Sequence, residues 1–165
     1  MVSVAILLFI FKLLLPTTLA FFGNSEVFFV NQMGLPFNSG TLIAALAFVL
    51  FFYYSLKYTQ RQNWINLNTG ILCVLFVLVG FSSWLMIPIR ANANTVINEN
   101  SPADARSLLA YYNLEQYPET HLFYGPLFSD IYASQDETEP YVDDKPKYER
   151  DYKTGKYIIV NHWER

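Results

Sequence analysis

The chain has 165 residues, 53% hydrophobic, 18% aromatic and 15% charged, with mean hydropathy +0.20 and a formal net charge of −3. Soluble domains carry about 25% charged residues, and here the shortage lies in one half: residues 1–89 hold only Lys12, Glu26, Lys57 and Arg61, whereas residues 90–165 hold eight basic and thirteen acidic side chains. That division excludes a single soluble domain, a disordered chain and a basic nucleic-acid binder. It predicts a mixed fold: two or three apolar membrane helices within 1–89, then a small extracytoplasmic α+β module over 90–165.

Residues 1–22 are apolar except for Lys12, with Pro16 four positions on. They read either as a membrane crossing or as a helix lying in the interface with Lys12 among the headgroups. Lys12 sits inside the apolar run instead of before it, which argues against a signal peptide. From Val27 to Leu56, and again from Gln62 to Ile89, there is no charge. A crossing helix needs about 20 apolar residues, so spans are predicted over about 41–56 and 70–89, with Tyr53, Tyr54 and Trp84 as interfacial anchors. The intervening segment 57–68 carries Lys57 and Arg61 and no acid, which predicts that it is cytoplasmic and that 23–40 and everything after Arg90 are external. Arg90 runs against that rule, and a guanidinium there is well placed to hold a lipid phosphate. Asn31, Gln32, Gly34, Pro36, Asn38 and Gly40 crowd one short stretch before a span, which predicts a structured turn in place of a floppy connector.

In the polar half, Ser101-Pro102-Ala103-Asp104 reads as a helix start, with Ser101 capping and Asp104 completing a capping box. Leu108, Leu109 and Tyr112 supply an apolar face, and Tyr117-Pro118 a stop. His121–Tyr124 is a strand candidate, 126–133 a second helix and 134–147 an acidic loop. The segments flanking Lys153-Thr154-Gly155-Lys156 read as a β-hairpin. Cys73 is the lone cysteine and reads as a small hydrophobe in an apolar run, so no intrachain disulfide is expected. His121 and His162 lack ligand spacing, and no metal or cofactor is expected. Gly125 is a weak phosphate-site signal, and the acids from Asp136 to Asp144 read as a solvated loop. The chain opens in an apolar stretch and closes straight after a strand, which suggests a piece of a larger membrane protein.

Three stretches, Phe28–Gly40, Ile89–Pro102 and Tyr112–Tyr117 with Tyr124-Gly125, together with Asp143–Tyr157, resemble the large bacterial membrane proteins of the protein O-mannosyltransferase-like group, in the GT-C glycosyltransferase superfamily. The resemblance covers the chain from about residue 26 onward. It implies a polyprenyl-phosphate sugar donor, an acceptor hydroxyl on a secreted protein, further membrane helices in the full-length protein, and a place in the bacterial inner membrane with 90–165 on the periplasmic side. In that superfamily the catalytic acid lies in the first external loop. No stretch here matches that loop, so no catalytic residue is assigned and the chain alone is expected to be inactive. There is one departure: where relatives often read Arg-Glu-Gln-Tyr-Gly, this chain has Leu114-Glu115-Gln116-Tyr117-Pro118.

On this reading Arg90 contacts the donor phosphate, and Glu99, Asn100, Gln116, Tyr117 and Tyr124 contact sugar or acceptor, since amides and tyrosine rings suit hydroxyl-rich ligands. The partners are then membrane lipid, the lipid-linked donor, a secreted acceptor and the remainder of the protein, with no nucleic acid. The alternative is a non-enzymatic membrane anchor. Nine of the twelve tyrosines lie in the polar half, which suits a partner-binding surface.

Overall fold

The computed structural model describes residues 2–93, 95–98, 100–117, 142–143, 147–160 and 163–164. Three helices are long and apolar enough to cross a membrane: α1 (Val2–Met33), α2 (Ser39–Arg61) and α3 (Ile65–Ala91). α1 takes in residues 2–22 and runs on to Met33, where Gly34 ends it. There the chain turns left-handed (φ 66°), and the Gly34 N–H bonds back to the Phe29 and Val30 carbonyls. Its 32 residues span about 48 Å, more than the ~30 Å of a bilayer core. α2 and α3 likewise extend past 41–56 and 70–89.

α1 is not a uniform helix. Phe9–Leu14 form a π-helical segment, and the Leu15 N–H reaches back five residues to Ile10 O. The next donor in that ladder would be residue 16, which is proline and has none. The Phe11 carbonyl is therefore left over, and the Tyr112 hydroxyl donates to it at 3.3 Å. The Thr17 and Thr18 hydroxyls donate to the Leu13 and Leu14 carbonyls beside the same proline. Lys12 is exposed on the π segment.

α1 and α2 are joined by the turn 34–38 and pack along each other, with α3 against α2. Closest approach occurs at Gly40, where a Cβ would lie 2.7 Å from Glu26 Cα. Glu26 is fully buried. Its carboxylate accepts from the Asn38 N–H, the Thr41 N–H (2.7 Å) and the Thr41 hydroxyl (2.9 Å). It thus supplies the cap that Asn38 does not, at the positive end of α2. At the opposite end of the bundle, the Asn68 amide donates to Thr59 Oγ1 at 2.8 Å across the turn 62–64.

The polar half begins with α4 (Ala105–Tyr112), which lies against α1. Gly23 permits this, since a Cβ there would meet Leu109 Cδ2 at 2.8 Å. Leu108 and Leu109 are buried. The helix start differs from the expectation. Asp104, not Ser101, is the cap: its carboxylate accepts from Arg106 N and Ser107 N, and the Ser107 hydroxyl accepts from Asp104 N. Ser101 has φ 39° and belongs to the approach loop. The helix also ends earlier, at Tyr112, where Leu114 turns with φ 54°. The expected hairpin is present: β2 (Lys147–Asp151) pairs antiparallel with β3 (Lys156–Val160), Arg150 opposite Tyr157 and Tyr148 opposite Ile159. Gly155 takes φ 68° in its turn. Within the expected acidic loop, β1 (Val142–Asp143) pairs with β4 (Trp163–Glu164). The predicted strand 121–124 and helix 126–133 lie outside the described residues.

Glu26→Ala removes the acceptor for three part-buried donor bonds and should destabilise the fold by about 1–3 kcal/mol. Glu26→Gln keeps one acceptor oxygen and should lose less. Thermal unfolding in detergent, followed by tryptophan fluorescence, checks the order parent, Gln, Ala.

Candidate functional site

The bundle end that carries the turn 34–38 is where the polar half meets the apolar half. Arg150 on β2 is its centre. The guanidinium pairs with Asp104 at 3.1 Å, donates to Asn38 Oδ1 at 2.7 Å and to the Tyr157 hydroxyl at 3.1 Å, and lies 4.9 Å from the Phe37 ring centre. Phe37 meets Tyr152 and Tyr157 edge-on. Asp104 therefore caps α4 with one oxygen and holds Arg150 with the other. Burial alone would pull the Arg150 pKa down, but the Tyr157 hydrogen bond and the Asp104 charge outweigh it and hold the group above its ordinary value. Burial, and then the Asp104 charge, push the Tyr157 hydroxyl well above the ordinary tyrosine range.

A second cation sits nearby. Arg106 is buried, forks onto Glu115 at 2.9–3.2 Å, and stacks 4.6 Å over the Tyr148 ring. Asn31 ties the hairpin to α1. Asn31 Nδ2 donates to Tyr157 O at 2.9 Å, and Tyr157 N donates to Asn31 Oδ1 at 2.8 Å. These ion pairs hold the junction together, and both guanidiniums have their carboxylates in place.

Arg90 is exposed near the end of α3 and makes no ion pair or side-chain hydrogen bond among the described residues. Asn100 is exposed with φ 57°, Tyr117 is exposed and Gln116 half-buried. Glu99 and Tyr124 lie outside the described residues, as do His121, His162 and Gly125. Sequence reasoning overlooked Glu26, Asn31, Asp104, Arg106 and Arg150 as organisers of this end. Glu26 had a signal, being the only acid in residues 1–89.

Two clefts flank the junction. One is apolar, about 220 Å³, between α1, α2, α3 and α4, with Leu15, Leu19, Phe22, Phe48, Trp84 and Leu108 on its walls. It suits a hydrocarbon chain. The other, about 380 Å³, lies between α1 and the hairpin and is lined by Asn24, Val27, Phe28, Asn31, Gln32, Tyr148 and Ile159. Among the described residues there is no group of three or more His, Cys, Asp or Glu able to hold a metal.

Residues 118–165 match the model of a family of unknown function (DUF8416), which covers less than a third of the chain. No curated protein and no solved structure matches.

The raised Tyr157 pKa has a pH consequence. Above pH ~10 an unfolded tyrosine ionises while Tyr157 stays protonated, so the folded state loses stability as pH rises further. Melting temperature should fall more steeply above pH 10 in the parent than in Tyr157→Phe, as measured by thermal scans between pH 8 and 11.

Proposed function

We propose that this chain is the C-terminal membrane and external portion of a polyprenyl-phosphate-sugar-dependent protein glycosyltransferase of the O-mannosyltransferase-like kind. It supplies the donor-side membrane wall and an acceptor-guiding module, while the catalytic acid comes from elsewhere in the full-length protein. One observation carries this reading: the first and last of the segments that bear the resemblance, far apart in sequence, meet at one bundle end. Asn31 and Asn38, from the first segment, bond to Tyr157 and Arg150, from the last. Asn92, from the second, donates to the Ala103 carbonyl at 2.8 Å just before the cap of α4. Glu115, from the third, holds Arg106.

The chemistry asked of that unit is modest. An inverting transfer needs a carboxylate base to activate a serine or threonine hydroxyl for attack on the anomeric carbon, with the lipid phosphate leaving. The apolar cleft beside Phe22 and Trp84 suits the donor's hydrocarbon chain. Arg90, a cation with no partner among the described residues, suits its phosphate. With Lys57 and Arg61 at the other end of the bundle, the positive-inside rule puts the turn 62–64 in the cytoplasm and the junction on the periplasmic side of the bacterial inner membrane. The anchor reading makes the opposite claim about activity, so a sugar-transfer assay on the full-length protein decides between the two.

Topology is tested by single cysteines at Asn66 and Asn113 in a Cys73→Ser background. A membrane-impermeant reagent applied to spheroplasts should label position 113 and not 66, and the reverse pattern overturns the orientation.

In the full-length protein, Arg90→Ala should weaken use of a polyprenyl-phosphate sugar by about 10- to 100-fold, the loss expected for one charge-assisted contact. Arg90→Lys should recover part of it. Equal donor use by parent and Ala variant removes Arg90 from the site. Absence of any transfer by the full-length protein favours the anchor.

A further inference from the structure

The loop that leads out of α3 turns polar side chains inward and apolar ones outward. Between Arg90 and Glu99 the chain carries no charge. The Asn92 amide donates to the Pro88 and Ala103 carbonyls, each at 2.8 Å. The Asn98 amide donates to the Ala91 carbonyl at 3.0 Å and to the Ser101 hydroxyl at 3.3 Å. The Thr95 hydroxyl donates to the Ile97 carbonyl at 3.1 Å. The backbone N–H groups of Asn92 and Ala93 close onto the Pro88 and Arg90 carbonyls. A helix end leaves its last carbonyls without intrahelical partners, and here the chain itself meets those of Pro88, Arg90 and Ala91. Val96 and Ile97 do the reverse: Val96 is wholly exposed and Ile97 is 83% exposed. Water would serve the carbonyls as well as the amides do, and it penalises two adjacent bare aliphatic side chains. Lipid reverses both terms, since it offers a carbonyl no partner and accepts the side chains.

The loop also sits at the right height. The apolar run 70–89 of α3 amounts to about 30 Å of helix, which matches a bilayer core. Arg90 and Ala91 then fall at the outer headgroups. The Asn98 bond to Ala91 keeps the loop beside them: the reach of one asparagine and one step along the chain put Ile97 within roughly 10 Å of the Ala91 carbonyl.

We propose that Val96 and Ile97 form a wedge that dips into the outer leaflet of the membrane, with lipid acyl chains as its partner and the amide bonds of the loop as the frame behind it. The wedge sets the height of α4 over the bilayer, because Asn98 and Asn92 also bond to Ser101 and Ala103, directly before the Asp104 cap. The proposal rests on α3 crossing the membrane and is independent of the glycosyltransferase reading.

The test uses the full chain in a Cys73→Ser background, reconstituted in vesicles of phosphatidylcholine and phosphatidylglycerol. Val96→Cys, Ile97→Cys, Phe76→Cys and Asn113→Cys are each labelled with a nitrobenzoxadiazole dye. Phe76 is an exposed residue in the apolar run of α3, and Asn113 is exposed in the polar half. Phosphatidylcholine bearing a nitroxide high on its acyl chain should quench the dye at 96 and 97 at least about twofold more strongly than at 113, because an interfacial wedge sits about 5–10 Å into the boundary between headgroups and acyl chains. A second arm separates the side chains from the dye. With the dye at Ala93→Cys, adding Val96→Asp and Ile97→Asp should lift the loop and bring quenching down to the level at 113. Unchanged quenching in that arm shows that the dye enters lipid by itself and overturns the proposal. Quenching at 76, with 96 and 97 no different from 113, overturns the wedge and leaves the span. No quenching at 76 removes the span and the wedge with it. Blue-shifted emission at 96 and 97 without quenching by the lipid assigns the loop to a protein partner and equally overturns the proposal.

Discussion

Everything at the polar end of this molecule is built around one buried carboxylate. Glu26 is the only acid in the apolar half, and a carboxylate shut away from water is tolerated only with donors on its oxygens. The start of α2 supplies them: the N–H groups of Asn38 and Thr41 and the Thr41 hydroxyl. Each side cures the other's deficit, since a helix start has unpaired donors and the carboxylate needs them. The arrangement demands that α2 come within van der Waals contact of the α1 backbone, which Gly40 alone allows. The turn 34–38 beside that contact brings Phe37 and Asn38 to Arg150.

A related rule, that backbone groups left out of a helix or strand ladder find other partners, explains how the polar module is attached. Pro16 and the π segment leave the Phe11 carbonyl over, and Tyr112 of α4 supplies the hydroxyl. Tyr157 of β3 has an unpaired backbone pair, and Asn31 of α1 supplies the amide. Gly23 lets α4 lie close enough for Leu109 to be buried. The module is thus stapled to α1 at three heights by groups that each half lacks alone.

This attachment changes how the candidate site is read. The residues expected to touch ligand from their chemistry alone, Asn100, Gln116 and Tyr117, are exposed or half-buried on the loops flanking α4. The aromatic rings and guanidiniums drawn inward are others: Phe37, Tyr148, Tyr157, Arg106 and Arg150. The two guanidiniums have spent their hydrogen-bonding capacity, Arg106 on Glu115 and Arg150 on Asp104, Asn38 and Tyr157, so this cluster gives shape to a surface and does not form its reactive part. Arg90 is the opposite case, a cation held at the end of an apolar helix with no carboxylate among the described residues.

What the amino-acid order determined by itself was whatever depends on local or compositional physics. Two of the apolar helices follow from runs without charge, whereas 1–22 stayed open between a crossing and an interfacial helix; the hairpin follows from apolar segments around a glycine turn, and the peculiarity of 31–40 from its crowding of amides and glycines. What it did not determine was which polar group meets which. Asp104 was visible as part of a capping box, but not as the cap that also holds Arg150 from a strand more than forty residues away. Glu26 was visible as an oddity, yet its partners lie across a turn whose course depends on Gly40. Pairings of this kind are set by long-range geometry. A helix period or a turn preference repeats every few residues, whereas a buried ion pair is selected only when separate elements have packed and water has left.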